Sequence, residues 1–202
     1  FGGVQASEPP VTPRSDVRPG PEPGPPACVF YTSGTTSDPK GVLQSNRSLL
    51  NHSHRVGIHL DLNPNDIALG ILPFCGIWGY NMFMSALTHG LPQVVQTHFD
   101  AERTIENVER HSVTYMSGLA TMYKRLIEED AFAEERVSTL STGVIGFISM
   151  GYDEAVFEAI EEHTGIPICQ PYGLSEANSQ VFMGDPSDPQ STRKRVGGPM
   201  IF

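Results

Sequence analysis

Apolar residues in this chain come in short runs separated by stretches of helical periodicity. Residues 27–32 (ACVFYT) are an apolar run that ends in a Ser/Gly/Thr cluster, the pattern of a buried strand followed by a loop. Ser45 is placed to cap a helix running through Leu49 and Leu50 to about residue 59. Residues 67–72 read as a strand stopped by Pro73, and 76–89 as an interior helix, apolar on most sides, with Gly90 as its terminator. A strand over 93–96 precedes a helix over 101–111, capped by Asp100 and facing inward through Ile105 and Val108. Strand 113–117, helix 120–129 and strand 140–148 follow. The pattern then predicts a helix over 152–164, with Ala155, Val156, Ala159 and Ile160 on one face and Gly165 just past its end, and a strand over 166–169.

Strand and helix thus alternate about five times through short connections, which predicts the α/β class: a largely parallel sheet with flanking helices. Ligands of such sheets sit at the carboxyl ends of strands, so the loops after Thr32 and after Gln170 are the places where a site is expected. Ahead of the pattern, residues 9–26 hold eight of the seventeen prolines. That density removes backbone donors and forbids helix, so 1–26 reads as a linker or surface segment and 27–202 as the α/β domain.

Composition narrows the classes of function. The 202 residues are 39% hydrophobic and 18% charged, a balance suited to a packed core. Asp and Glu number 23 against 13 Lys and Arg, a net charge of −10 with no basic run long enough to follow a phosphate backbone, which excludes nucleic acid as the expected partner. No stretch approaches the ~20 apolar residues of a membrane span. Cys28, Cys75 and Cys169 are odd in number, far apart and in no C-x-x-C spacing, which points away from a disulfide framework or zinc site and toward a reducing, cytoplasmic setting. Beginning on Phe1 and ending on Phe202 in an incipient turn, the sequence reads as a piece of a longer chain.

Two segments carry chemistry. Residues 32–41 (TSGTTSDPKG) bring five hydroxyls, two glycines and Lys40 directly after a buried strand; backbone N–H groups freed by glycine, hydroxyl donors and a point charge together suit a polyphosphate. A solvated turn is the plain alternative for such a composition. A Walker-type loop fails, because Pro39 stands where its second glycine belongs and Gly41 where Ser or Thr is needed. Residues 170–180 (QPYGLSEANSQ) set Tyr172, Gly173, Ser175 and Glu176 within five positions: a ring able to stack on a base, and a carboxylate able to hold Mg²⁺ beside phosphate.

Taken together, YTSGTTSDPKGV (31–42) and YGLSE (172–176) resemble the phosphate-binding signature and second core motif of the AMP-forming adenylate synthetase superfamily, which includes acyl-CoA ligases. LPFCGIWGY (72–80) looks like the family's intervening segment that lines the acyl pocket. The resemblance implies activation of a carboxylic acid by ATP to acyl-AMP, followed by thioester formation with coenzyme A. It also implies roles. Ser33, Gly34, Thr35, Thr36 and Lys40, headed by Thr32, would hold the β- and γ-phosphates. Tyr172 with Gly173 would lie against adenine, Ser175 would approach the α-phosphate, and Glu176 would ligate Mg²⁺. Thr35, Lys40 and Glu176 would be the catalytic set, and Phe74, Trp78, Gly79 and Gly146 would line the acid's pocket. The family's ribose-binding Asp and its C-terminal lid domain with the adenylating Lys would lie beyond residue 202, so this chain is expected to be inactive alone.

The family pattern is not met everywhere. Ser37 replaces a Gly, Ser175 the commoner Thr, Cys75 and Asn46 frequent His positions, and 146–150 (GFISM) a Gly-Gly-Ala-Pro-like adenine loop. No Asp near Gly79 or Leu119 awaits an ammonium group, which favours an apolar acyl chain over an amino acid. An adenylation domain serving a carrier protein, and a nucleotide-binding module without catalysis, are the alternatives. Trp78 with Phe74 and Tyr80 suits plain core as well as pocket wall, Met82 and Met84 read as core, and His52 and His54 read as surface residues because positions two apart on a helix diverge.

Overall fold

The computed structural model describes residues 25–32, 38–147, 153–195 and 198–201. Its centre is a five-stranded, all-parallel sheet in the order β4-β3-β5-β6-β7, formed by Ala68–Gly70 (β3), Gln93–Val95 (β4), Tyr115–Leu119 (β5), Thr142–Gly146 (β6) and Ile168–Cys169 (β7). Each strand is shorter than its apolar run. The expected first strand, β1 (Pro26–Thr32), is not in this sheet. It pairs antiparallel with β2 (Lys40–Ser45), which the sequence pattern does not announce, and Thr32 stands opposite Lys40 at the end of that hairpin where the chain passes from one strand to the other. A strand with mostly solvent-facing side chains gives no apolar run, and β2 buries only Gln44 fully.

Among the described residues the helices are Asn46–His59 (α1), Ile77–Thr88 (α2), Ala101–His111 (α3), Ala120–Ile127 (α4), Glu154–Thr164 (α5) and the short Gln190–Arg193 (α6). The predicted caps are present. Ser45 Oγ accepts from Ser48 N at 3.1 Å, and Asp100 Oδ1 from Arg103 N at 2.9 Å, each satisfying an orphan donor of a first turn. Gly165 closes α5 with φ of 68°, a conformation that costs a residue with a Cβ.

Strand alternation divides the core in two. Met116, Ile145 and Ile168 face α3, α4 and α5, where they meet Ile105, Val108, Tyr123, Phe157 and Ile160. Their neighbours Tyr115, Val144 and Cys169 face α1 and α2, against Val56, Leu60, Met82 and Ala86. Two expectations need correction here. The inward face of α5 centres on Phe157, Ile160 and Thr164; of the predicted face Ile160 is fully buried, Val156 packs partly buried against the core and Ala159 is half-buried, but Ala155 is exposed and Phe157 and Thr164 take its place. The helix starts at Glu154 behind the N-cap Asp153, and its phase follows the one large aromatic. His52 is not a surface residue; Leu49, His52, Ser53 and Val56 share the buried stripe of α1 at helical spacing. Burial lowers the His52 pKa below the usual imidazole value. Among the described residues no helix is long and apolar enough to cross a membrane.

The corrected face of α5 sets an expectation. Phe157→Ala should destabilise the domain by about 3–5 kcal/mol, while Ala155→Ser should change stability by less than about 0.5 kcal/mol; denaturant melts of the two variants check this, and equal losses would restore the sequence-based face.

Candidate functional site

After β7 the chain passes through Gln170 and Pro171 into β8 (Tyr172–Leu174), turns through a 3₁₀ segment at Ser175–Ala177, and returns as β9 (Ser179–Phe182). The backbone makes this hairpin tight. Asn178 and Ser179 both have positive φ (64° and 94°), and a Cβ at Gly173 would lie 2.0 Å from Ser179 O, so only glycine fits there. Glu176 is exposed at the tip of the turn, and Tyr172 leaves about half its surface exposed (51%) with its ring 6.3 Å from that of Phe182.

Distant elements hold the turn in place. Gln44 Nε2, from β2, donates to Ser175 O at 2.8 Å. Asn178 Nδ2 donates to Ser48 O in α1 at 2.9 Å. Asn81, fully buried in α2, donates through Nδ2 to Ser53 Oγ at 3.1 Å and to Asn178 O at 3.4 Å. The β1–β2 hairpin that ends in Thr32 and Lys40 is thereby fastened to the turn that carries Ser175 and Glu176. Sequence reasoning missed Gln44, Asn81 and Asn178. A lone Asn within the apolar run of α2 was the one local signal available.

A second clamp holds the strand leading in. Arg193 and Glu161 form a buried ion pair, their side chains 8% and 10% exposed, and each also holds the backbone of Ile168 in β7. Arg193 Nη1 donates to Ile168 O at 2.8 Å, and Glu161 Oε1 accepts from Ile168 N at 2.7 Å. Gln190 Nε2 donates to Glu161 Oε2 at 2.7 Å, so the carboxylate is fully engaged. Lys194, in the same basic stretch, is held by Glu154 and Glu158 on α5.

Between these braced segments lies a cleft of ≈ 450 Å³ at the carboxyl ends of β6 and β7. Its walls are Ile77 and Trp78 from the first turn of α2, Gly146 at the end of β6 and Phe147 after it, Gln170 to Ser175, and Ser179 and Gln180 of β9. Beneath it, Met82 Sδ accepts from Tyr115 Oη at 2.7 Å and Ser117 Oγ at 3.2 Å, with Gln180 Nε2 at 3.6 Å.

Of the residues expected at a site, the cleft gathers Trp78, Gly146, Tyr172, Gly173 and Ser175, with Glu176 next in the chain. Two expected pocket residues stand elsewhere. Phe74 packs on Phe83, ring centroids 4.8 Å apart, and is not among the lining residues. Gly79 is buried against the Leu72–Pro73 backbone, where a Cβ would fall 2.4 Å from Pro73 O; its glycine serves close packing of α2. Thr32 and Lys40 are described at the hairpin end, whereas Ser33, Gly34, Thr35, Thr36 and Ser37, and 148–150 of the expected adenine loop, lie outside the described residues.

Two substitutions test the scaffold. Arg193→Ala leaves the Glu161 carboxylate buried and unpaired, and should cost about 3–5 kcal/mol in denaturant unfolding; a loss below about 1 kcal/mol would mean that the pair does not brace β7. Gly173→Ala forces β8 away from β9 and should cost about 1–3 kcal/mol, read as a lowered Tm, and an unchanged Tm would contradict the tight hairpin.

Comparison with known proteins gives the arrangement a context. The profile of the family described as AMP-binding enzyme matches residues 3–202. The 2-succinylbenzoate–CoA ligase of Geobacillus kaustophilus (strain HTA426) is 34% identical over 156 residues, covering 77% of this chain and 31% of that enzyme. The o-succinylbenzoate coenzyme A synthetase of Bacillus subtilis in complex with AMP has a TM-score of 0.75 at 26% identity, over 89% of this chain and 45% of that one. The same synthetase in complex with ATP and magnesium ion has a TM-score of 0.72 at 26% identity, over 86% of this chain and 35% of that one. The chain spans about a third of the length of the curated relatives it matches. With an all-parallel sheet, a cleft at its carboxyl edge and a family match over nearly its whole length, the chain belongs to the AMP-binding enzyme family.

Proposed function

We propose that this chain supplies the nucleotide- and acid-binding part of an ATP-dependent carboxylate–CoA ligase. The acid's carboxylate attacks the α-phosphorus of ATP, giving acyl-adenylate and pyrophosphate, and the thiol of coenzyme A then displaces AMP. One observation carries the reading: the Gln44–Ser175 hydrogen bond joins the hairpin of Thr32 and Lys40 to the turn of Ser175 and Glu176, beside a cleft lined by Trp78, Gly146 and Tyr172.

Each reactant finds fitting groups. Lys40 is exposed at the hairpin end, where its ammonium can meet phosphate, next to the Ser33–Thr36 segment that we assign to the same task. The half-exposed Tyr172 ring offers a stacking face for a base. Among the described residues no cluster of three or more His, Cys, Asp or Glu could cage a metal. Glu176 as a lone exposed carboxylate instead suits Mg²⁺, which takes one or two carboxylates and completes its shell with phosphate oxygens and water. Bound there, Mg²⁺ would neutralise charge on the leaving pyrophosphate. Ser175 orients its end of the cleft toward the α-phosphate, while Trp78 and Phe147 exclude water from the acid. Three free cysteines agree with a reducing, cytoplasmic setting.

Acid-dependent ATP–pyrophosphate exchange by the protein carrying this chain tests the reading. Glu176→Gln should lower exchange by about 10²-fold or more, the scale of losing one preorganised electrostatic contact, and wild-type exchange would remove Glu176 from the metal role. Lys40→Ala should raise the KM for ATP well above any change for the acid; an equal effect on both would count against a phosphate contact.

A further inference from the structure

A second cavity, of ≈ 340 Å³, adjoins the turn that carries Ser175 and Glu176. Its described walls are Ser48, Asn51, His52 and Arg55 of α1, with Ala177 and Asn178 of the turn. The four helical positions recur at spacings of three and four, so they share one face of α1. Asn51 and Arg55 are exposed on that face, where their polar ends meet whatever enters from solvent. The two walls are tied to each other, because Asn178 Nδ2 donates to Ser48 O at 2.9 Å. The cavity is thus formed before a ligand arrives.

The side chains of these walls suit a carboxylate. Arg55 brings a permanent charge and a planar fork of N–H donors that meets both oxygens of a carboxylate at once. Asn51, one turn earlier, adds an amide donor. A single guanidinium balances one carboxylate, whereas it would leave a doubly charged phosphate half neutralised. The volume of ≈ 340 Å³ is that of a site for a small organic molecule rather than a bare ion.

Whatever occupies this cavity also touches the candidate site. Ala177 and Asn178 follow Glu176 directly in the chain, and Ser175 and Ser179 of the same turn line the cleft. Ser48 Oγ donates to Gln44 Oε1 at 3.4 Å, and Gln44 Nε2 donates to Ser175 O at 2.8 Å. One hydrogen-bonded relay therefore runs from the cavity wall to the backbone of Ser175.

We infer that this cavity binds the carboxylate of a small organic molecule, gripped by Arg55 and Asn51, and that its occupancy steadies the turn of Ser175 and Glu176. The binding stands apart from the ligase reading, and the effect on turnover rests on it. Two sources can supply the group: a second carboxylate on the acid being activated, or a separate small molecule.

Calorimetry on the protein carrying this chain tests the binding, with adipate and terephthalate against their neutral diamides, at low ionic strength because salt screens exposed charge. At least one dicarboxylate should bind about tenfold or more tighter than its diamide, the scale of a hydrogen bond to a charged group. Arg55→Gln should abolish that difference, and Arg55→Lys, which keeps the charge but loses the fork, should retain part of it. Arg110→Gln removes the same charge from an exposed position of α3 and should change nothing. Acid-dependent pyrophosphate exchange then separates the sources. If the ligand is separate, adding the bound dicarboxylate to a reaction activating hexanoate or benzoate should lower the KM for ATP by about fivefold or more. If the group belongs to the substrate, adipate should exceed hexanoate, or terephthalate benzoate, by about tenfold in kcat/KM. Either effect should vanish in Arg55→Gln. Binding that is indifferent to Arg55, or lost equally in Arg110→Gln, overturns the inference, as does exchange that responds to the dicarboxylate in neither way. Binding that needs Arg55, with no exchange from any of the four acids, overturns the ligase reading and leaves the carboxylate site standing.

Discussion

A carbonyl oxygen removed from water has to find a donor, and the turn at 175–178 meets that demand from outside itself. Gln44 reaches Ser175 O from one hairpin and Asn81 reaches Asn178 O from α2, while the turn's own Asn178 returns a donor to Ser48 O in α1. Everything proposed for the site depends on this exchange of side-chain amides. Without it, a five-residue stretch with two positive-φ residues would have no reason to present Ser175 and Glu176 in one fixed position. The brace works because it ties the turn to three separate elements, β2, α2 and α1, so the turn can move only if all three move with it.

Much of the frame was legible in the sequence, and for local reasons. Asp100 followed by an inward Ile105 and Val108, and Gly165 just past Thr164, announce helix ends by chemistry that acts within a few residues. The alternation of runs gave the parallel sheet. What escaped was set by long-range pairing. Strand β2 has almost no buried side chains, so its identity comes from the register with β1 rather than from its own residues. The phase of α5 follows Phe157, one large side chain that outweighs two alanines in buried area. His52 is inward because its helix has no other residue at that point of the stripe. The Arg193–Glu161 pair joins residues 32 positions apart and left no mark in either local pattern.

The candidate site was legible in a different sense. Its motifs could be found by their residue types, Tyr172 to Glu176 above all, but the motif could not tell which neighbours form the wall. Phe74 and Trp78 are four residues apart in one aromatic segment, yet Trp78 lines the cleft and Phe74 turns to Phe83, because the start of α2 lies between them. Membership of the AMP-binding enzyme family fixes the class of chemistry.

The sulfur of Met82 has a consequence of its own. Methionine and leucine ordinarily exchange in cores at little cost, since their volumes match. Here the thioether is the acceptor for the buried Tyr115 hydroxyl and lies near Ser117 Oγ and the Gln180 amide, so a hydrocarbon of equal size would fill the space and strand the Tyr115 proton, while Ser117 Oγ keeps Tyr115 Oη within 3.1 Å. A residue that looks like packing material is thereby a fixed point among buried polar groups, and an exchange for leucine that most buried methionines tolerate would leave a buried hydroxyl without its acceptor at this one.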